Sequence, residues 1–566
     1  MTWISDRRTL LRNSALWVAA LPVFPAEAQA PQAAGAARKN TTALFDVKEF
    51  GASGIKSDDA RPAIQNAIDA CAAAGGGIVY LPPGEYTSGT ITLRSHVRFH
   101  LEGGATLYAS KNPADFNSKP VESKASLFFA ENVENITIEG RGTVNGQSEY
   151  EWRDDDIDDV FVKPAKDRMK AAGKSIRRSF PKGLPSRTVF PHLVWIGGSV
   201  DVRITGLSFI YAPSWTMAFH QCDRLSLDGI YIHTKLNEAV WADGIDLDGC
   251  KDVCVANSTI ISADDCFAIF SGDFWGSPRA CEDITITNCR LSSSSCAVKF
   301  TEGDVKGVHR VTISNCVITE DSSGFAFLSA DGGIVSDILI SNCVLNLRRF
   351  DWFWGQGGPM GMVLKNRDEW KGAPMRHGAV FPGAIRNIVM RGLIIHAVGP
   401  GHLHGHPDSW IDGLTLENIK LFVSTDPAAP FDDTVDAMSF SYARNLKLRN
   451  VEIHWETPEL QTWRSALSFE NVEDLKIEGF EGRQAPANRD TPAVVFRDVK
   501  DAVVRDSTPA EGTGTFLEVG GDSGEVVLFG NDFRKTTTSF RLVNGTKKDA
   551  VRAMNNIESL HKPLPG

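Results

Sequence analysis

Between about residue 90 and residue 480 the chain returns again and again to one short pattern: apolar, any, apolar, any, then glycine or asparagine. It reads Ile136-Thr-Ile-Glu-Gly140, Val202-Arg-Ile-Thr-Gly206, Leu225-Ser-Leu-Asp-Gly229, Val253-Cys-Val-Ala-Asn257, Ile284-Thr-Ile-Thr-Asn288, Val311-Thr-Ile-Ser-Asn315 and Ile338-Leu-Ile-Ser-Asn342. The series continues through phrases that end at Gly392, Asn418, Asn450 and Gly479. Alternation with a period of two turns one face of a strand inward. The closing glycine or asparagine tolerates a left-handed backbone, which ends the strand and turns the chain. Residues 288, 315 and 342 are spaced by 27, and 392 and 418 by 26. A repeat of that length made of short strands predicts an all-β fold, a right-handed single-stranded parallel β-helix in which each coil stacks on the last. A β-propeller would need longer units.

Other stretches set the limits of this solenoid. Asp58 to Cys71 carries apolar residues at Ile64, Ala67, Ile68 and Cys71, the spacing of an amphipathic helix, after an acidic first turn. One helix ahead of a chain of strands predicts an N-terminal cap that keeps water off the open end of the stack. The β-helix domain is expected over 41–560, because Val494-Val-Phe-Arg-Asp498, Val503-Val-Arg-Asp506 and Val526-Val-Leu-Phe-Gly530 continue the pattern without a linker. Two ranges, 150–190 and 349–383, break it and are expected to leave the coil as loops on the binding face. The first holds a run of aspartates and a basic run, the second Trp352, Trp354 and Trp370.

Residues 1–30 read as a leader, with Arg7-Arg8 ahead of an apolar run and alanine-rich cleavage sites, followed by a linker over 31–40. The paired arginines resemble a twin-arginine signal, so export from a bacterial cell, to the periplasm or beyond, is expected. The apolar run is short for a membrane span. A formal charge of -11 argues against nucleic acid and anionic membrane as partners, and leaves a polysaccharide as the expected one. A monomer is expected. The ten cysteines form no C-x-x-C pair, and several recur after the turn asparagine, at Cys289, Cys316 and Cys343. They are expected to be buried, stacked and unreactive.

Candidate chemistry concentrates in Trp241-Ala-Asp-Gly-Ile-Asp246 and in Ser262-Ala-Asp-Asp-Cys-Phe-Ala-Ile-Phe270. Asp-Gly and Asp-Asp are also ordinary turn residues. Within a coiled sheet, however, the 21 residues from Asp243 to Asp264 put the two on neighbouring coils, roughly 5 Å apart. Carboxylates crowded in this way do not all ionise readily, so at least one is expected to titrate above its ordinary value. An acid beside a base is what glycoside hydrolysis needs.

Phe45-Asp-Val-Lys-Glu-Phe-Gly-Ala52, Ile204-Thr-Gly-Leu-Ser-Phe209, Ala212-Pro-Ser-Trp215, Asp243-Gly-Ile-Asp246 and Asp264-Asp-Cys-Phe-Ala-Ile269 together resemble the polygalacturonase-type glycoside hydrolases of family 28, over roughly 45–430. The resemblance implies that Asp264 is the general acid and that Asp243 and Asp265 activate a water, with inversion at the anomeric carbon. It also exposes departures. The family's Asn-Thr-Asp reads Trp241-Ala-Asp243, its Gly-His-Gly falls near Ser295-Cys-Ala297, and its Arg-Ile-Lys, which grips a sugar carboxylate, aligns with Ala326-Phe-Leu328. Trp241, Lys299, Glu302, Asp331 and Trp354 are the substrate contacts expected in their place. Neither a metal nor a cofactor is expected, and His402-Leu-His-Gly-His406 reads as a solvated turn. The expected activity is hydrolysis of a pectic or related decorated polysaccharide from a chain end, with rhamnose a candidate and homopolygalacturonan a poor substrate. A polysaccharide lyase, or a carbohydrate-binding solenoid without catalysis, remains the alternative.

Overall fold

In the computed structural model of the protein, the described residues are 43–116, 125–148, 191–234, 236, 241–272, 274–300, 305–350, 357–365, 381–426, 436–459, 461–543 and 545–558, with the backbone of 152–154 and 177–179. The repeated phrase does what its alternation dictates. Val253, Ile284, Val311, Ile338, Ile388 and Leu414 stand one above another in parallel register, each with its side chain in the core. A second interior column, Ile260, Leu291, Ile318, Leu345 and Ile395, runs along the next face. The result is a parallel β-helix whose coils close a long apolar interior.

The turn residues confirm the pattern's punctuation. Gly140, Gly206, Gly229, Asn257, Asn288, Asn315, Asn342, Gly392, Asn418, Asn450 and Gly479 all have positive φ. Asparagine accepts this conformation and also ties coils together, since Asn257 Nδ2 donates to Asp228 Oδ1 at 2.8 Å. Each Cys that follows such an asparagine is buried with Sγ against a backbone carbonyl, as Cys316 is on Ser314 O at 3.3 Å. All ten cysteines are free, and Cys254 alone of them is exposed.

The cap is an α-helix, α1 (Arg61–Ala73), with Ala63, Ile64, Ala67, Ile68 and Cys71 buried. It starts later than the sequence pattern suggests, and no acidic residue lies in its first turn. Asp59 instead precedes it and accepts from Arg61 N–H at 3.0 Å.

One face of the solenoid positions the candidate site. Its strands are β1 (Ser126–Glu131), β2 (His192–Gly197), β3 (Met217–His220), β4 (Ile245–Asp248), β5 (Phe267–Phe270), β6 (Val298–Phe300), β7 (Ser323–Ser329), β8 (Gly358–Leu364), β9 (Gly401–His404) and β10 (Met438–Trp455), each parallel to the next. Inward residues stack as aromatic rungs, with Phe300 on Phe327 at 4.6 Å between centroids and Phe440 on Phe469 at 4.8 Å. β8 corrects the expectation that 349–383 leaves the coil as a whole. Met360, Met362 and Leu364 point inward there, and Gly357 makes the turn into the strand with φ +71. Within 150–190, Trp152–Asp154 pairs antiparallel with Arg177–Ser179, apart from the solenoid sheet. The remainder of that range, the leader and the linker lie outside the described residues. The strands after residue 490 add further coils, Val494 pairing with Leu467 and Leu517 with Val494.

Candidate active site

Asp243 lies in the turn that leads into β4, and Asp264 and Asp265 lie in the turn that leads into β5. Pairing is set by Ile245 opposite Phe267, an offset of 22 rather than 21, so that Asp243 stands level with Asp265 and Asp264 precedes it. The extra residue is taken up in the turn, and the carboxylates still converge. Backbone contacts fix all three: Thr216 N–H donates to Asp243 O at 2.9 Å and Gly244 N–H to Asp265 O at 2.8 Å. The carbonyl of Asp264 is held by Ser262 Oγ at 2.8 Å and Ser293 Oγ at 2.7 Å. Glycine is needed at 244, because a Cβ there would lie 2.5 Å from Cys266 O and 2.6 Å from Ile260 Cγ2.

One oxygen from each of Asp243, Asp264 and Asp265 lies within 4.8 Å of the others, and all three residues are buried. Asp264 accepts from Trp241 N–H at 3.1 Å and from Asp265 N–H at 3.0 Å. Asp265 accepts from Ser295 Oγ at 2.7 Å and from Lys299 Nζ at 2.9 Å, so both its oxygens face donors. Burial raises the Asp264 carboxyl to about 7, with the Asp265 charge adding to the shift and Lys299 opposing it. Asp243 is pushed well above the usual carboxylate range by burial and then by Asp264, Asp246 and Asp265. Burial works against the Lys299 ammonium, but Asp265 and Asp264 outweigh it and hold the lysine charged. Asp264 and Asp243 are coupled, and the protons they hold stand beside the Asp265 carboxylate that is paired to the Lys299 ammonium. That is an acid–base pair suited to glycosidic bonds. The same oxygens are within reach of a cation. Calcium takes six to eight oxygens, and β6 brings the Lys299 ammonium to Asp265 in place of further oxygens.

The residues expected to contact substrate are placed unevenly. Trp241 is at the rim, 49% exposed, with φ +71 and its N–H on Asp264. Lys299 points outward from β6 between the buried Val298 and Phe300, as alternation predicts, and reaches back to Asp265. Asp331 sits in the turn after β7 with no exposed surface. Glu302 and Trp354 lie outside the described residues. His402 and His404 are not in a turn: they belong to β9, half-buried, each ring nitrogen on Ser439 Oγ.

Two features escaped the sequence reading. Asp246, on β4, is buried beside Asp243, and burial followed by the charges of Asp265 and Asp264 raises its carboxyl well above the ordinary value. Strict alternation held the signal: with Ile245 and Leu247 inward, Asp246 and Asp248 must face out. The other feature is a wall. Phe274 packs against Trp215, His220 and Phe270, and Trp275 Nε1 donates to Glu131 Oε1 at 2.8 Å. Gly198 makes room for it, since a Cβ there would be 2.3 Å from the Trp275 ring. Gly272 N–H donates to Asp248 Oδ1 at 2.7 Å, and Asp248 Oδ2 meets His220 Nδ1 at 2.9 Å. Beneath this segment the outward residues Trp195, Ala218 and Asp246 are 1% exposed or less. Beyond Lys299, toward β10, the outward residues Ala326, Gly361, His402 and Ser439 are all partly exposed. Among the described residues, this face is therefore covered on the β1–β4 side and partly exposed on the other.

The sequence model of glycosyl hydrolases family 28 matches residues 71–346, the span that holds Asp243, Asp264 and Asp265. The chain is a divergent member of that family. It is 26% identical over 251 residues to a probable polygalacturonase of Vitis vinifera, covering 42% of this chain and 45% of the relative. With an exopolygalacturonase of Platanus acerifolia it shares 23% over 282 residues, 48% of this chain and 63% of that one. The chain thus spans about half the length of the relatives it matches. Among solved structures, the exopolygalacturonase of Thermotoga maritima superposes with a TM-score of 0.55 at 17% identity, over 73% of this chain and 92% of that one. The family 28 exopolygalacturonase of Yersinia enterocolitica gives 0.57 at 16%, over 78% of each chain. At these identities the superpositions establish the shared β-helix. Within the family 28 frame, Ala326 stands directly beside Lys299 in the register of β6 and β7. Where the resemblance leads one to expect an arginine at 326, the outward cation stands one coil earlier, and it is committed to Asp265.

Proposed function

We propose that the protein is a glycoside hydrolase acting on a pectic or related polysaccharide, and that it removes units from a chain end. The observation that carries this reading is the buried cluster of Asp243, Asp264 and Asp265, with Asp264 holding a proton to about pH 7, set next to the covered β1–β4 side of the face. Asp264 protonates the leaving oxygen, and Asp265, oriented by Ser295 and Lys299, is the carboxylate that activates a water, while Asp243, whose carboxyl burial raises, positions that water as a hydrogen-bond partner. Phe274 packed on Trp215 and His220, with Trp275 tied to Glu131, covers the β1–β4 side next to the aspartates, and this supports the reading of attack at a terminus. Ala326 and Leu328 bring no cation to the open side, and a desolvated sugar carboxylate without a partner costs several kcal/mol. A neutral or deoxy sugar at the scissile bond, rhamnose among the candidates, fits better than galacturonate.

Inversion follows from the family resemblance and not from spacing. The oxygens lie within 4.8 Å, closer than the roughly 6.5–9.5 Å between carboxyl groups usual when a water must fit between them. One experiment tests the reading: the purified protein is incubated with homopolygalacturonan and with rhamnogalacturonan, and products are followed by size and by proton NMR of the new anomeric centre. A single small sugar released from the decorated polymer, with inverted configuration, is expected. Unsaturated ends would indicate a lyase, mixed oligomers from homopolygalacturonan an internal cut, and retained configuration a nucleophilic aspartate.

A further inference from the structure

The partly exposed half of this face contains a group of side chains outside the residues 71–346 that the family's model covers. We propose that His402, His404 and Ser439 form a subsite that binds the hydroxyls of a distal sugar of the bound chain. The inference rests on the proposed glycan substrate and adds where, and through which groups, that chain is held.

The register defines the place. Lys299, Ala326, Gly361, His402 and Ser439 follow one another in one outward column across β6 to β10. Three strand spacings separate Lys299 from His402, about 14 Å, too far for the sugar at the scissile bond. Between them stand only an alanine and a glycine, and a Cβ built on Gly361 would meet nothing nearer than His402 O at 4.0 Å. The floor between the aspartates and the histidines is therefore low and unobstructed by the described residues.

The hydrogen bonding defines the ligand. His402 Nδ1 lies 3.1 Å and His404 Nε2 2.9 Å from the same Ser439 Oγ. A hydroxyl has one hydrogen, so Ser439 donates to one ring and accepts from the other. If His402 Nδ1 accepts, its proton is on Nε2, while His404 donates through Nε2 and keeps a lone pair on Nδ1. If the roles are exchanged, both free nitrogens exchange with them. In either case the two outer nitrogens, His402 Nε2 and His404 Nδ1, present one donor and one acceptor. A pair of sugar hydroxyls, each able to donate and accept, satisfies that arrangement. A carboxylate, which only accepts, satisfies half of it, and a metal ion needs two lone pairs. Two lone pairs arise only if Ser439 turns its hydrogen to Gly401 O, which at 3.5 Å is the longest of the three contacts. Burial keeps both rings neutral, holding His402 below its ordinary value and His404 down to about 4 with His402 and Lys365 assisting.

The full chain carrying Asp264→Asn, with histidine labelled by 15N, is titrated with pectin-derived oligosaccharides of increasing length. The His402 and His404 resonances are expected to shift with the longer oligosaccharides and to stay in place with the disaccharide. In the parent enzyme, Ser439→Ala and His404→Gln should each lower kcat/KM on long oligosaccharides by roughly five- to thirty-fold and leave the shortest cleavable one unchanged. Equal losses on short and long substrates would overturn the proposal. So would ring resonances that ignore every oligosaccharide, or that respond to zinc alone. The labelled titration reads binding without turnover, so it separates failure of this subsite from failure of the hydrolase reading.

Discussion

Replacing Asp264 by asparagine should damage catalysis and, above neutral pH, stabilise the fold. In the unfolded chain this carboxyl ionises near 3.8; in the folded state burial, and then Asp265, raise it to about 7. Between those values the folded state holds a proton that the unfolded state has released, so stability falls as pH rises through the interval and the full penalty applies above about 7. That penalty is on the order of 4 kcal/mol. Asparagine never ionises and escapes it, but Asp264 accepts N–H bonds on both oxygens and an amide accepts on one only. The lost bond costs about 1–2 kcal/mol at any pH. The net expectation is a sign change: the variant is less stable than the parent at pH 4 and more stable by on the order of 2 kcal/mol at pH 8. With unfolding entropy near 2.1 cal mol⁻¹ K⁻¹ per residue, a chain of this length gains about 1 °C per kcal/mol, so calorimetric midpoints across this pH range should cross by a few degrees. Turnover should fall by roughly 10²–10⁴. A stability difference that is flat with pH, or near-normal turnover, would refute the assignment of the proton to Asp264.

Lys299→Met removes the charge that opposes the rise of Asp264, so the limb on which activity declines at high pH should move to higher pH while kcat falls by about tenfold or more; an unmoved limb in a pH–rate profile would count against the Lys299 contact. Phe274→Ala with Trp275→Ala should uncover the β1–β4 side and release oligomers as well as the terminal sugar, which chromatography of early products would detect. Activity should survive exhaustive chelation, and loss restored by calcium would favour a lyase. Phe327→Ala deletes a fully buried rung stacked on Phe300 and should cost about 3–5 kcal/mol in denaturant unfolding, against little change for an exposed position such as Val317.

The sequence carried the architecture wherever a residue's local environment repeats. A glycine or asparagine after two inward aliphatics announces a left-handed turn, and each of the predicted turn positions has positive φ. The aspartates were legible for the same reason, since they precede strands of the repeat. The offset was misjudged by one because it is set by strand pairing, Ile245 on Phe267, and not by the aspartates themselves. β8 was hidden because its inward methionines follow a Gly- and Pro-rich approach that reads as loop, and β9 because three residues between glycines are too few to show a period.

The cover on the β1–β4 side was illegible for a different reason. Trp275 meets Glu131 across 144 residues of sequence, a contact that no local pattern announces. Its cause is coiling itself: each coil returns the chain to the same face, so a turn after β5 lies near strands laid down several coils earlier. The local sequence of 274–280 offers a Phe-Trp pair and a glycine, ordinary loop residues. What fixes their meaning is Gly198, kept free of a Cβ, and His220 with Asp248 beneath. On the proposed end-wise reading, turn residues that lie off the repeat distinguish a cut at a chain end from a cut within it. The repeat predicts where a cleft can exist, and the turns decide how far a polymer can extend along it.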